Sequence, residues 1–477
     1  MSQLQVIWRV GARQPVSGNL PETALSITQG LQCVVKDIDV HRPDDTLGSV
    51  CSIVEFDDQW QVLLEHSVPD VIYLHSLPSN EFLLGCEKWL AQTKMRFPAI
   101  TVVLNADIGT QVSSPQCLTE LAAQADLMIV SQAHLTDFVT CSTPSAVTEI
   151  VAPLREWLAL SGAAWLVTDD DNSAWFIDKQ QALEFSALQN DAALLSEQNE
   201  SRVLSLLSFL AHGYDLLDSI TMMHAYIASL LNGETAWPQK TQYLPTIRPL
   251  LGNKAALVAT DSGSLSFAPI DLHKFGLYPV VDTLEWLSLV LKNGATTAQL
   301  RIKDPSASNL DSQIKGAVAL GKQYNAQVFI NDYWQKAIEH GAFGIHLGQE
   351  DLEIADLTAV SNAGLALGIS THGYFEIANA MRINPSYIAL GHIFPTQTKD
   401  MPSQPQGLVR LGFYARLLKG IYPTVAIGGI SAERVPSVLQ TGVDSVALVT
   451  AITKAVDPEK ATQDLLSLFS AEKAVCL

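Results

Sequence analysis

Between Gly276 and Thr450 short runs of β-branched and apolar residues alternate eight times with longer amphipathic stretches, and this alternation restricts the fold of the 477-residue chain more than any other feature. The runs are GLYPVV from 276, TAQLRI from 297, QVFIND from 327, GIHLG from 344, ALGIST from 366, YIALGHI from 387, TVAIGGI from 424 and SVALVT from 445. Between them stand segments of helical period such as TLEWLSLVLKNG, IKGAVALGKQYN, YWQKAIEHG, FEIANAMRIN and AERVPSVLQTG, several closed by a Gly or Asn suited to a left-handed cap. Strands that alternate with helices pair in parallel, because each crossover returns the chain to the same end of the sheet. Eight such units in about 200 residues predict a (β/α)8 TIM barrel.

In such a barrel the carboxyl ends of the strands share one mouth, where active sites form. Polar residues collect at those positions: Gln299, Arg301 and Lys303; Asn331 and Asp332; Gln349, Glu350 and Asp351; Ser370, Thr371 and His372; the run Pro395 to Lys399; and Gly428 with Gly429. One Arg or one Asp taken singly reads as a surface ion pair. The shared strand-end position reverses that for the set. Arg301 and Lys303, two apart, are expected on one face of a strand, and Lys399 can join them from another loop. Three converging cations imply an anionic group such as a phosphate. Asp332 and Asp351 supply hard oxygen donors of the kind that recruit Mg²⁺ beside a polyphosphate. A glycine pair after a strand is by itself only a turn. In the loops after the seventh and eighth strands of a barrel, however, Gly428 and Gly429 can offer amide N–H groups to a second phosphate, with Thr396 and Thr398 adding hydroxyls. Two anion sites across one mouth imply the joining of two phosphorylated molecules.

The strings QLRIKD, IND, HLGQEDL, LGISTH, YIALGHIFPTQTK, PQGL and PTVAIGGIS, in this order, resemble the motifs of thiamine phosphate synthase, also called thiamine-phosphate pyrophosphorylase, over about residues 276 to 460. The resemblance implies condensation of hydroxymethylpyrimidine diphosphate with hydroxyethylthiazole phosphate, giving thiamine phosphate and diphosphate. It implies that Gln299, Leu300, Arg301, Ile302, Lys303, Asn331, Ser370 and Lys399 hold the pyrimidine diphosphate, and that Arg301, Lys399 and Ser370 act on the reaction. It further implies Asp332 and Asp351 as Mg²⁺ ligands. Thr396, Gln397, Thr398, Gly428, Gly429, Val449 and Thr450 would contact the thiazole phosphate. Such chemistry needs no general base and works by electrostatics and positioning. The sequence departs from the pattern at His392, where many members have Pro, and at Thr450, where many have Ser and where Thr keeps the hydroxyl. His346, His372 and His392 read as hydrogen-bonded structural groups. A thiazole tautomerase shares the fold but does not need the diphosphate and metal residues, and the set Arg301, Lys303, Asp332, Asp351 and Lys399 argues against it.

Upstream, the stretch from Asn232 to Pro269 carries Pro238, Pro245, Pro249 and Pro269 among Gly and Ser, which is linker chemistry. The expected organisation is a first domain over 1–235, a linker over 236–269 and the barrel over 270–477. The first domain also alternates strand and helix signals, QVIWRV, DVIYLHS, EFLLGCEKWLAQTK, AITVVLN, LMIVS, AVTEIVAPLREWLALSG, AWLVT and AWFID among them, and is expected to be an α/β layered domain. Its order of elements, with RVGARQPVSGNLPETALSITQGLQ and AHGYDLLDSITMMHAYIASLLNG, resembles the ribokinase-like fold of hydroxymethylpyrimidine phosphate kinase. That family closes its site with a turn of the form H-G-T-G-C, and here His212, Gly213, Tyr214, Asp215 and Leu216 stand in its place. A carboxylate at a helix start repels phosphate, so the domain is read as degenerate and non-catalytic. The alternative, with Asp215 or Asp218 as a retained base, is a bifunctional enzyme that also phosphorylates hydroxymethylpyrimidine phosphate. The run Asp169, Asp170, Asp171 reads as a solvated turn.

Charge fits this division. The chain has 29 basic and 49 acidic residues, net -20. Residues 1–260 hold 13 and 29 of them and residues 261–477 hold 16 and 20, so the excess acid sits mainly in the first part. Such a balance argues against nucleic-acid and anionic-membrane partners. Cys33, Cys51, Cys86, Cys117, Cys141 and Cys476 are scattered, with no metal-ligand spacing, and read as reduced thiols. With no secretory pattern at the N-terminus and no apolar run of about 18 residues, a cytoplasmic protein is expected, its partners the two phosphorylated substrates. The sequence leaves room for a homo-oligomer.

Overall fold

A computed structural model describes residues 4–11, 27–39, 53–77, 79–106, 115–138, 148–169, 173–186, 199–234, 237–250, 265–396 and 404–475. The chain divides into one unit of Met1–Pro238 with Gln242–Gly252 and a second of Asn253–Leu477 with Gln239–Thr241. No described helix is long and apolar enough to cross a membrane.

The first unit is a mixed α/β sheet domain. Its strands are β1 (Gln5–Gly11), β2 (Cys33–Asp39), β3 (Val71–Leu74), β4 (Thr101–Asn105), β5 (Leu127–Ser131), β6 (Ala164–Thr168), β7 (Ala174–Ile177), β8 (Ala182–Ser186) and β9 (Thr246–Pro249), in the order β2-β1-β3-β4-β5-β6-β7-β8-β9. The pairs from β2 through to β6 are parallel and the last three are antiparallel. Central strands such as VIYL are buried on both faces, which is why they read as continuous apolar runs. Helices Ile53–His66 and Asn80–Arg96 cluster Phe56, Trp60 and Trp89, and Trp60 packs on Trp8 of β1, with ring centroids 4.8–6.1 Å apart. Each such ring contributes about 1.5–3 kcal/mol of burial before its entropy cost. The buried Cys33 and Cys86 thiols are pushed up to about 11 and about 12 by burial, which fits unreactive groups.

One expectation is corrected here. The stretch 236–269 is not linker throughout, because β9 lies inside it and pairs Ile247 with Phe185 of β8. Flanking prolines had marked the segment as loop, yet a Pro is tolerated at the end of an edge strand, where its missing N–H faces no partner. Residues 265–271 belong instead to the second unit: Ala268 N donates to Leu365 O at 3.1 Å and Asp271 N to Gln327 Oε1 at 2.6 Å. Ala268 and Ile270 pack on the barrel core.

In the second unit β10 (Leu277–Val281), β11 (Thr297–Leu300), β12 (Gln327–Asn331), β13 (Gly344–Leu347), β14 (Ala366–Thr371), β15 (Tyr387–Leu390), β16 (Thr424–Ala426) and β17 (Ser445–Leu448) close into a barrel, every pair parallel. The interior is packed by Phe275, Tyr278, Val280, Phe329, Ala366, Tyr387, Ala389, Val425 and Ala447. One register row sets Asn331, His346, Gly368 and Tyr387 side by side on consecutive strands. A Cβ on Gly368 would collide with the Tyr387 ring, so the glycine is what lets that aromatic lie across its neighbour strand.

Candidate active site

Because all eight strands run parallel, their carboxyl ends lie on one rim, and the loops that follow them are stitched together by backbone hydrogen bonds. Arg301 N donates to Val281 O at 2.7 Å, Asp332 N to His346 O at 3.0 Å and Gly391 N to Thr371 O at 3.1 Å. Gln299 stands one residue before the end of β11 with its side chain buried. The strand stops at Leu300, so Arg301, Ile302 and Lys303 stand in the loop beyond it. The expectation that Arg301 and Lys303 share one face of a pleat therefore fails: two residues apart means a common face only while the chain stays extended and paired. Arg301 is half-buried and Lys303 exposed. The Arg301 guanidinium makes no hydrogen bond or ion pair to any described residue. The loop is held from the segment after β12, where Tyr333 OH donates to Ile302 O at 3.1 Å.

Asn331 is buried at the end of β12, and Asp332 follows it with φ of +64°, a left-handed conformation that Asp tolerates better than most residues and that turns the chain at the rim. Asp351 sits in the first turn of the short helix Gln349–Leu352, its Oδ2 accepting from Gly348 N at 3.3 Å. The two carboxylates thus stand on the loops after adjacent strands. Gln349 Nε2 donates to Ser370 O at 2.6 Å and ties the loop after β13 to the end of β14. His372 is accounted for locally, since its N and Nδ1 both lie 2.8 Å from Glu376 Oε2.

The loops after β15 and β16 run together: Ile393 N donates to Ile427 O and Phe394 N to Gly428 O, each at 3.0 Å. Gly428 and Gly429 have φ of +100° and +64°. A Cβ on Gly429 would strike the carbonyl oxygens of Phe394 and Pro395, so both the conformation and the close approach require glycine. Arg434, which sequence reasoning passed over, donates from Nη1 to Gly429 O at 2.7 Å and lies over the Phe394 ring at 4.3 Å. His392 packs beside Gly428; burial holds its pKa below the ordinary value, with the neighbouring His372 adding to the effect, and its Nδ1 has no partner among the described residues. Thr396 is half-buried, Val449 half-buried, and Thr450 exposed as it opens the helix Thr450–Thr453. Gln397, Thr398 and Lys399 lie outside the described residues.

Sequence reasoning also missed what lies under this rim. Gln299 and Ser370, on strands β11 and β14, are both hydrogen-bonded to buried groups: Gln299 to Tyr278 and Ser370 to His346. No motif marks such contacts, since they depend on register across the barrel.

In the first unit the helix Leu216–Leu231 begins at Asp215, whose carboxylate accepts from Asp218 N at 2.8 Å. The amide at that helix start is therefore capped from within the chain. Asp218 is buried. Asp169 continues the hairpin between β6 and β7, its N donating to Ser173 O at 3.1 Å, while Asp170 and Asp171 lie outside the described residues.

Residues 277–452 match a family model described as thiamine monophosphate synthase. The thiamine-phosphate synthase of Serratia proteamaculans is 58% identical over 207 residues, 43% of this chain and 96% of that protein. That of Photorhabdus laumondii subsp. laumondii is 60% identical over 202 residues, 42% of this chain and 93% of that protein. Among solved structures, phosphomethylpyrimidine kinase from Clostridium difficile is similar at 12% identity and a TM-score of 0.37, covering 47% of this chain and 98% of that one.

Proposed function

The chain belongs, through its barrel, to the thiamine-phosphate synthase family and is a transferase of thiamine biosynthesis, and from that premise we propose how its residues divide the reaction. Hydroxymethylpyrimidine diphosphate lies over β11 to β14, held by Gln299, Leu300, Arg301, Ile302, Lys303, Asn331, Ser370 and Lys399. Hydroxyethylthiazole phosphate lies against Thr396, Gln397, Thr398, Gly428, Gly429, Val449 and Thr450. The C–O bond to diphosphate breaks with its electron pair leaving on oxygen, and the thiazole nitrogen then captures the pyrimidine methylene cation, forming the new C–N bond.

Charge develops on the departing diphosphate, so the groups that matter are those more strongly bound to it in the transition state than before. Arg301 carries this reading. A half-buried guanidinium just past a strand end, with no partner among the described residues, is uncommitted and gains most when an anion appears beside it. Asp332 and Asp351, paired hard oxygen donors on adjacent loops, fit Mg²⁺, which when bound supplies charge neutralisation to the diphosphate. The glycine turn at 428–429 offers backbone N–H groups to the thiazole phosphate, and Arg434 keeps it in place. The first unit is read as a non-catalytic companion, supported by the carboxylate of Asp215 capping the helix start that a phosphate would otherwise occupy.

Mixing the protein with both phosphorylated precursors and Mg²⁺ should release thiamine phosphate and diphosphate in equal amounts. Asp332→Ala and Asp351→Ala should each lower the rate by about 10²-fold and raise the Mg²⁺ concentration needed for half-maximal activity. An unchanged Mg²⁺ response in both would remove the metal assignment.

A further inference from the structure

Five side chains under the barrel mouth form one unbroken hydrogen-bonded chain. Gln299 Nε2 donates to Tyr278 OH at 3.3 Å, Tyr278 OH lies 2.8 Å from Tyr387 OH, Tyr387 OH lies 2.7 Å from His346 Nδ1, and His346 Nε2 lies 2.8 Å from Ser370 Oγ. The register explains how they meet: His346 and Tyr387 share a row with Gly368 between them, and Ser370 is two residues further along the Gly368 strand, on the same face and nearer the rim. The imidazole stacks on the Tyr387 ring at 18° with centroids 5.7 Å apart, which fixes its plane.

The direction of the chain follows from counting donors. Burial raises the pKa of both Tyr278 and Tyr387, so each phenol keeps its proton and must place it on an acceptor. A neutral imidazole has one donor and one acceptor nitrogen. Were Ser370 to donate to Nε2, then Nδ1–H would donate to Tyr387, Tyr387 to Tyr278, and the Tyr278 oxygen would accept twice while its own proton met no acceptor. A buried donor left unmade is costly. The opposite direction satisfies every group: Tyr278 donates to Tyr387, Tyr387 to Nδ1, and Nε2–H to Ser370 Oγ. The hydroxyl hydrogen of Ser370 is then the one left over, and Ser370 is half-buried at the mouth.

We propose that Tyr278, Tyr387 and His346 are positioning residues that hold the imidazole proton on Nε2 and thereby commit the Ser370 hydroxyl to donate to the departing diphosphate. The proposal rests on the reading of Ser370 given above. It treats His346 as part of the machinery, where the sequence showed only a structural histidine.

A double-mutant cycle on the full chain, with thiazole phosphate saturating, tests it. Tyr387→Phe removes the donor to Nδ1 and should lower kcat about tenfold, as expected for one hydrogen bond made in the transition state, with KM for the pyrimidine diphosphate within about twofold. Ser370→Ala should lose at least as much, and adding Tyr387→Phe to it should cost nothing more. His346→Gln, whose amide can accept from Tyr387 and donate to Ser370, should retain about a third or more of kcat, while His346→Leu should match Tyr387→Phe. Thermal melts confirm folding, and the contrast of His346→Leu with His346→Gln carries the test if Tyr387→Phe is unstable. A Tyr387→Phe enzyme at full rate, or losses that multiply in the double variant, would overturn the relay while leaving Ser370 in its role. Full activity in Ser370→Ala would overturn the role of Ser370 and the relay with it.

Discussion

Both units contain a run of parallel strands packed with helices, yet they spend their polar groups differently. In the first unit three cations among the described residues are committed internally. The Arg9 guanidinium lies 2.9 Å from Asp37 and 2.6 Å from Glu200, Lys94 pairs with Asp126 at 2.9 Å, and the buried Arg202 donates to the carbonyls of Asp169 and Ser173. Even the helix start at Asp215 is capped from within the chain. In the barrel, Arg301 makes no such contact to a described residue, and the glycine turn at 428–429 leads with backbone. An open sheet scatters its strand ends along an edge, whereas a closed barrel brings eight of them round one mouth. The comparison teaches that a shared α/β grammar does not make a site. What makes one is polar groups left uncommitted where strand ends converge.

Arg301→Ala should lower kcat/KM for thiamine phosphate formation by about 10²–10³-fold. The same variant, given ATP and hydroxymethylpyrimidine phosphate, should make no diphosphate product; turnover would show that the first unit keeps a site of its own. Next in size, Gly429→Ala forces a Cβ against two carbonyl oxygens in a left-handed turn, and should raise KM for thiazole phosphate about tenfold while KM for the pyrimidine diphosphate stays within about twofold. Equal changes in both would mean a general collapse of the mouth.

The smallest effect is expected in the first unit. His224, buried on the helix Leu216–Leu231 and stacked at 6° on Phe185, has neither nitrogen paired among the described residues, and burial lowers its pKa to about 3, with Arg202 adding to the effect. The folded state therefore refuses a proton that the unfolded chain accepts below about 6.5. The first unit should lose stability as pH falls from 6.5 toward 3, by about 2 kcal/mol at pH 5, and be unaffected by this residue above pH 7. His224→Phe should flatten that slope in thermal melts at pH 7 and pH 5, with the synthase rate at pH 7 unchanged. An equally acid-sensitive variant would assign the loss elsewhere.

The barrel strands were legible because a core strand between two helices must be apolar, as LYPVV and YIAL are, and because helices such as Leu284–Lys292 carry their own cap at Thr283. Edge and hairpin strands were harder to see. β2 reads CVVKDID and β8 reads ALEFS, mixing charge with apolar residues as half-exposed strands do, and β9 lay between prolines. At the site, Gln299, Asn331, Asp332 and Asp351 were legible as strand-end polar groups. The pleat that was to align Arg301 with Lys303 was not there, because a strand's end is set by where its neighbour stops donating.

The order of residues along the chain thus determined which elements form, that the second unit closes on itself, and which polar groups reach its rim, since periodicity and capping act over a few residues. Only the tertiary structure decided that Tyr278, Tyr387 and His346 touch and that Ser370 joins them. Those contacts join residues as far apart as 109 positions, and register between strands, which no local pattern carries, is what brings them within hydrogen-bond reach.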